Sequence, residues 1–268
     1  MKMLGFLALG RGLAGSLAAC LAIAMAAALA GGAPVNAAEF SDAQKGEIES
    51  IVKAYILKNP EIVQQAFEEL TNREKASEAA ARAKSLSDVQ GPLYSSPNEA
   101  IVGNPQGKIT LVEFFDYNCG YCKKMLPDLA RLIKENPDLR VILRDFPVLS
   151  DASIDAATIA ASVRDQFKGE KFWEYHQRLL GLHGLVGKEQ AVDLAQEMGA
   201  DMPRLARDAQ APSAKAGLEE SFKFGRLLQI QGTPSYVVGD AVVDGAVGFE
   251  DLQGKVNNVR KCGKTVCS

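Results

Sequence analysis

From residue 109 the chain runs Ile-Thr-Leu-Val-Glu-Phe-Phe-Asp-Tyr-Asn and then Cys119-Gly120-Tyr121-Cys122-Lys-Lys-Met. An apolar run of strand type ends in a polar turn, two cysteines follow at C-x-x-C spacing, and a helical pattern begins. Strand, cysteine pair, helix is the layout of a thiol–disulfide active site. At a helix N-terminus the free N–H groups and the positive end of the dipole favour a thiolate. Cys119 is therefore expected to be the exposed nucleophile, and Cys122, one turn further in, the more buried resolving thiol. Gly120 and Tyr121 supply no cation, so a less extreme fall in the Cys119 pKa is expected. Such a pair is less oxidising and suits rearrangement better than one-way oxidation.

The other cysteines depend on where the chain works. Lys2 and Arg11 lie in a short positive region ahead of residues 13–30, which are almost all Leu, Ala, Ile, Met or Gly. Val35-Asn36-Ala37 then offers small residues at the −3 and −1 positions, so residues 1–37 read as a secretory signal peptide cleaved after Ala37. A membrane anchor is the competing reading. So is lipidation at Cys20, although the apolar run continues past the point where a lipid-attachment box would end. Export, with the periplasm as the expected location, leaves Cys119, Cys122, Cys262 and Cys267, an even number as paired cysteines require. The formal charge of −3 becomes more negative without Lys2 and Arg11, and a mildly acidic chain has no electrostatic footprint for nucleic acid.

Residues 38–90 read as helix. Ser41 and Gln44 form a capping box, and Ile48, Ile51, Val52, Tyr55 and Ile56 make one apolar face. Asn59 and Pro60 are expected as N-cap and first residue of a second helix, whose stripe is Ile62, Val63, Ala66, Phe67 and Leu70. Helices of this length cannot bury such stripes alone. They pack either on the same chain or, as the sharper reading has it, on copies of themselves, as an oligomerisation segment. Gln90-Gly91-Pro92 and the following Ser- and Pro-rich residues mark the boundary of a domain over 91–268. There the pattern predicts a strand at 109–115, a helix from 119 to about 135 and a second strand at 139–144, which is a parallel βαβ unit. Residues 151–228 read as successive helices, with Leu218, Phe222 and Leu227 on the buried side of the last. A hairpin at 235–243 turning at Gly239-Asp240 and a helix at 249–259 close the chain.

Written out, the four cysteines give C-x2-C…C-x4-C, but the halves lie far apart in sequence and the first opens a helix, so a zinc site is disfavoured and no metal or cofactor is expected. For Cys262 and Cys267 a structural disulfide is the favoured reading, beside a second redox or copper-binding pair. His176 and His183 are expected to be packed or at the surface. Lys123 and Lys124 are expected to be solvated.

The whole arrangement resembles the thioredoxin superfamily, in particular its exported DsbA-like branch, over about residues 97–260. Glu-Phe-Phe before the cysteines, Pro127 in the helix, Thr233-Pro234 before a strand and the helical insert all match in order. Cys-Gly-Tyr-Cys and the Thr before the proline are similar to the bacterial disulfide isomerases. The N-terminal segment looks like that of the suppressor-of-copper-sensitivity protein C / Com1 group. The resemblance implies an α/β thioredoxin fold with an inserted helical domain and an N-terminal helical extension. It implies that Glu113 is a buried acid beneath the cysteines, and that Thr233 and a cis Pro234 abut Cys119 and, with Gly120 and Tyr121, meet the substrate. A buried carboxyl in an apolar strand needs such a reason, and a cis X-Pro bond bares backbone that an extended chain can pair with.

The function expected is that of an exported protein disulfide isomerase or reductase. Its partners would be misoxidised or unfolded exported proteins, a membrane thiol reductase as electron donor, and copies of itself in a dimer or trimer. The alternatives are a monomeric DsbA-like oxidase and a copper(I) carrier using the thiolates of Cys119 and Cys122.

Overall fold

The computed structural model describes residues 40–98 and 100–267. The signal-peptide reading of residues 1–37, with Cys20, lies outside them. The chain divides into two compact units between Phe67 and Glu68.

In the first unit, helix α1 (Asp42–Lys58) opens on the expected capping box: the Ser41 Oγ accepts from the Gln44 amide, and the Gln44 side chain accepts from the Ser41 amide. Asn59 does not cap the next helix. Its side-chain amide turns back and donates to the Tyr55 carbonyl at 2.8 Å, closing α1, and α2 (Glu61–Tyr94) begins after Pro60. The apolar stripe of this unit lies bare: Ile51, Tyr55 and Phe67 are all more than half exposed.

In the second unit, α2 does not stop at Gln90-Gly91-Pro92 but runs through to Tyr94. Leu86 and Leu93 are buried against Val112, Phe114, Ile142 and Val237 on one face of the sheet. Each such leucine contributes about 1.5–3 kcal/mol, so the two together offset the cost of about 1 kcal/mol for a helical glycine and about 3 kcal/mol for a helical proline. Arg144 and Arg140 donate to the Leu93 and Tyr94 carbonyls at 2.9 and 2.8 Å, satisfying groups a helix C-terminus leaves open.

The sheet has five strands in the order β1-β3-β2-β4-β5, namely β1 (Ala100–Gly103), β2 (Ile109–Phe115), β3 (Leu139–Asp145), β4 (Ser235–Val238) and β5 (Ala241–Asp244). The pair β2–β3 is parallel and joined by α3 (Gly120–Glu135), as the βαβ pattern predicts; the other pairings are antiparallel. Strand β1 has no counterpart in the sequence pattern. Its four residues are too short for periodicity to register, and pairing with β3 alone makes them a strand.

The insert is five helices, α4 (Asp151–Arg164), α5 (Glu170–Leu180), α6 (Lys188–Glu197), α7 (Met202–Asp208) and α8 (Pro212–Leu227). At its end Leu228, not Leu227, is the buried leucine, because α8 stops one residue before it and the chain turns at Gln229. Helix α9 (Phe249–Cys262) runs three residues past the expected end and is closed by Gly263 at φ +76°, the left-handed conformation glycine adopts without strain. Cys262 and Cys267 are joined, and Thr265 between them bonds the Asp240 carboxylate in the β4–β5 turn.

Candidate active site

Strand β2 is the centre of the site because it is the centre of the sheet. Its side chains alternate. Val112 and Phe114 join the cluster under α2, whereas Leu111 and Phe115 join the cluster under α3, with Cys122, Met125 and Leu129. Glu113 falls on the second of these faces and is 2% exposed. In register it stands between Leu143 of β3 and Tyr236 of β4. The Tyr236 hydroxyl donates to its carboxylate at 3.1 Å. Burial raises the Glu113 pKa to about 7, the Tyr236 hydrogen bond opposes the rise, and the negative charge at Cys119 adds to it.

Cys119 is the N-cap of α3, and its sulfur accepts the Cys122 amide at 3.3 Å. It is 5% exposed, so the nucleophile is less open than its position predicts. The residue at the surface is Tyr121, 67% exposed, beside an exposed Gly120. The peptide bond Thr233-Pro234 is cis and brings the Thr233 carbonyl to 3.1 Å from the Cys119 sulfur. The Cys119 pKa is lowered to about 6. The Cys122 thiol's hydrogen bond is the largest cause, with help from Thr233 and the backbone N–H groups of Cys122 and Tyr121, against burial. The Thr233 hydroxyl is buried with no hydrogen-bond partner among the described residues. Cys122, fully buried, moves the other way: desolvation, its bond to the Cys119 sulfur and the Glu113 charge all raise its pKa.

The two thiols are thus a pair in which one ionises near neutrality and its neighbour resists ionisation. Beneath them sits a carboxyl poised near the same pH. Such a set can attack a disulfide with one sulfur, then move a proton from the other sulfur to the carboxyl.

Three residues of the site were not singled out from the sequence. Tyr236 is one. Asp116 is buried and binds three amides with its carboxylate, those of Asn118, Val148 and Leu149. The Asn118 side chain bonds Ser153 and both backbone groups of Val186. Together Asp116 and Asn118 tie the loop before Cys119 to the insert. Their polar type directly upstream of the cysteine was the available signal. Lys123 also departs from expectation: it is half-buried and donates to the Leu182 carbonyl. His176 is fully buried against Phe115 and Trp173 and is held neutral, its pKa pushed down to about 3 by burial. His183 is exposed.

Residues 110–257 match the family described as the DSBA-like thioredoxin domain. The chain belongs to the DsbA-like thioredoxin family. Residues 44–77 separately match the N-terminal domain of the copper resistance protein ScsC. A thioredoxin-like oxidoreductase from Silicibacter pomeroyi DSS-3 is 36% identical, covers 65% of this chain and 98% of its own, and superposes with a TM-score of 0.61. A linker-deletion mutant of Proteus mirabilis ScsC is 27% identical, with 84% and 99% covered and a TM-score of 0.62. Among curated proteins, the Na(+)/H(+) antiporter NhaA 1 of Salinispora arenicola is 24% identical over 156 residues, which is 58% of this chain and 24% of the antiporter. The chain therefore spans about a quarter of that relative's length.

Proposed function

We propose that the protein is an exported thiol–disulfide oxidoreductase that isomerises or reduces wrong disulfides in periplasmic proteins. The observation that carries this is the asymmetric setting of the cysteine pair: Cys119 caps α3 and touches the Thr233 carbonyl, which goes with a lowered pKa, while Cys122 is fully buried, which raises its own. The Cys119 thiolate attacks one sulfur of a substrate disulfide. That S–S bond breaks, a mixed disulfide forms and the second substrate sulfur leaves as a thiolate. In isomerisation another substrate thiolate attacks the mixed disulfide, forms a new substrate disulfide and restores the Cys119 thiolate. In reduction Cys122 gives its proton to Glu113 and attacks Cys119, leaving a Cys119–Cys122 disulfide and a reduced substrate. The second route consumes two electrons per cycle, which a membrane thiol reductase would return. Thr233 and Pro234 present backbone to the substrate chain beside the reacting sulfur, flanked by Gly120 and Tyr121. Cys262 and Cys267 serve as a structural bridge.

The bare stripe on α1 and early α2 supports working as a homo-oligomer through residues 38–90, because exposed apolar surface of this kind marks an interaction face. An oligomer favours the isomerase over the monomeric oxidase, since several sites around one cleft hold an unfolded chain while its bonds are rearranged.

The test is refolding of a scrambled multi-disulfide substrate by the wild type and Cys119→Ser. Recovery by the wild type and none by the variant is the expected result. Wild-type recovery no better than buffer would overturn the isomerase reading.

The match of residues 44–77 to a copper resistance protein's domain keeps copper(I) binding as a second reading. Two soft thiolates are required, and the raised pKa of Cys122 opposes the second. Metal titration of the reduced protein separates them: tight one-to-one copper binding lost in Cys122→Ser would favour the carrier.

A further inference from the structure

The groove beside the cis-proline loop has a wall that the thioredoxin fold does not supply. Its volume is about 400 Å³, and it is lined by the loop residues Gln231 to Ser235, by Asp244 and Gly245 at the end of β5, and by Glu78 and Arg82 of α2. Arg82 reaches across from α2 and donates to the Asp244 carboxylate and to the Gln229 carbonyl at 3.2 Å. These two partners stand at the two flanks of the loop. Gln229 begins it, in a positive-φ conformation, and Asp244 pairs in register with Ser235, which follows Pro234. The Gly245 amide also donates to the Pro234 carbonyl at 2.9 Å. One α2 side chain thus braces the loop whose Thr233 carbonyl touches Cys119.

Glu78 lies one turn before Arg82 and is exposed. Within the groove Arg82 and Asp244 neutralise each other. Glu78 has no ion-pair or hydrogen-bond partner among the described residues, and Lys75, one turn earlier on α2, lies outside the lining, so the lining itself carries one unbalanced negative charge next to the backbone that an extended chain would pair with.

We propose that α2 forms part of the substrate site. Arg82 is a positioning residue for the Thr233-Pro234 loop, and Glu78 selects an extended segment of a substrate protein that carries a lysine or arginine beside the attacked disulfide. This rests on the thiol–disulfide exchange assigned to Cys119 above, and it holds for isomerase and oxidase alike. An exposed carboxylate–cation pair contributes modestly, so the preference amounts to about two- to fivefold in rate and weakens as salt screens it.

The test uses two short peptides, each linked to itself as a disulfide dimer, with either lysines or glutamates flanking the cysteine. Cys119 attacks one sulfur, the dimer's S–S bond breaks, and one peptide leaves as a thiol while the other stays on Cys119. Rates are measured at low salt with reduced full-length wild type, Glu78→Lys, and Glu219→Lys, which makes the same charge change at an exposed site on α8. The wild type is expected to open the lysine dimer about two- to fivefold faster. Glu78→Lys should abolish or invert that ratio, and Glu219→Lys should keep it. A ratio that moves no further in Glu78→Lys than in Glu219→Lys overturns the selectivity. For Arg82, the midpoint of the pH profile for alkylation of Cys119 should rise in Arg82→Ala and return part-way in Arg82→Lys; an unchanged midpoint removes its positioning role. A wild type that opens both dimers yet recovers no scrambled substrate refutes the isomerase reading and leaves the groove standing. A wild type that opens neither overturns both.

Discussion

Tyr236 and Glu113 meet across the β2–β4 register, and their hydrogen bond sets the acid beneath the cysteines. A hydrogen bond to a charged group contributes about 1.5–3 kcal/mol, which is about one to two pH units. Tyr236→Phe is therefore expected to raise the Glu113 pKa above its value of about 7 and to move the midpoint of insulin reduction against pH upward by that amount. An unmoved midpoint would show that the hydroxyl does not tune the acid. The same shift has a consequence for stability. The Glu113 pKa is raised on folding, so its contribution is fully present below about 4.5, the unfolded value, and is lost as pH rises through about 7. Cys119 is lowered from 9.0 to about 6, so its contribution is present above 9 and is lost as pH falls through 6. The two act in opposite directions. The difference in urea stability between wild type and Glu113→Gln should accordingly fall as pH rises from 4.5 to 8, and a flat difference would contradict the buried, raised acid.

Helix α2 shows how an element outgrows its local signals. Gly91 and Pro92 are breakers in sequence, yet the helix passes through them because Leu93, fully buried, packs beneath the sheet. Leu93→Ala should cost about 2–5 kcal/mol in urea unfolding. A loss under 1 kcal/mol would mean that the last turn of α2 is not anchored there. The C-terminal bridge is an element-scale device of a different kind. It closes a ring between residues only five apart, so its chain-entropy contribution falls below the roughly 3 kcal/mol of a fifteen-residue loop. Its local effect is to hold Thr265 on Asp240. Replacing both cysteines by serine should lower the thermal midpoint modestly and leave Cys119 alkylation unchanged.

For the molecule as a whole, the exposed apolar stripe over Ile48 to Leu70 is the surface on which the proposed oligomer rests. A chain beginning at Glu68 retains the sheet, the insert and the cysteine pair. It should be monomeric by light scattering, reduce insulin near the full-length rate and lose recovery of scrambled substrate. A full-length chain that is already monomeric would remove the oligomer and, with it, the main support for isomerase over oxidase.

What the sequence determined by itself was whatever depends on near neighbours. The cysteine spacing places one thiol at a helix N-terminus and the other a turn inside; the Ser41 box starts α1; periodicity marks the stripes and the βαβ unit. Glu113 was legible through the family resemblance, with its place in an apolar strand in support. Only tertiary structure decided what lies opposite these residues. Tyr236 reaches Glu113 from 123 residues away, Arg82 reaches Asp244 from 162, and β1 exists because β3 pairs with it. Register and burial are properties of two segments together, and neither segment records them alone. The burial of Cys119, the path of α2 past Pro92 and the wall it gives the groove are of that kind.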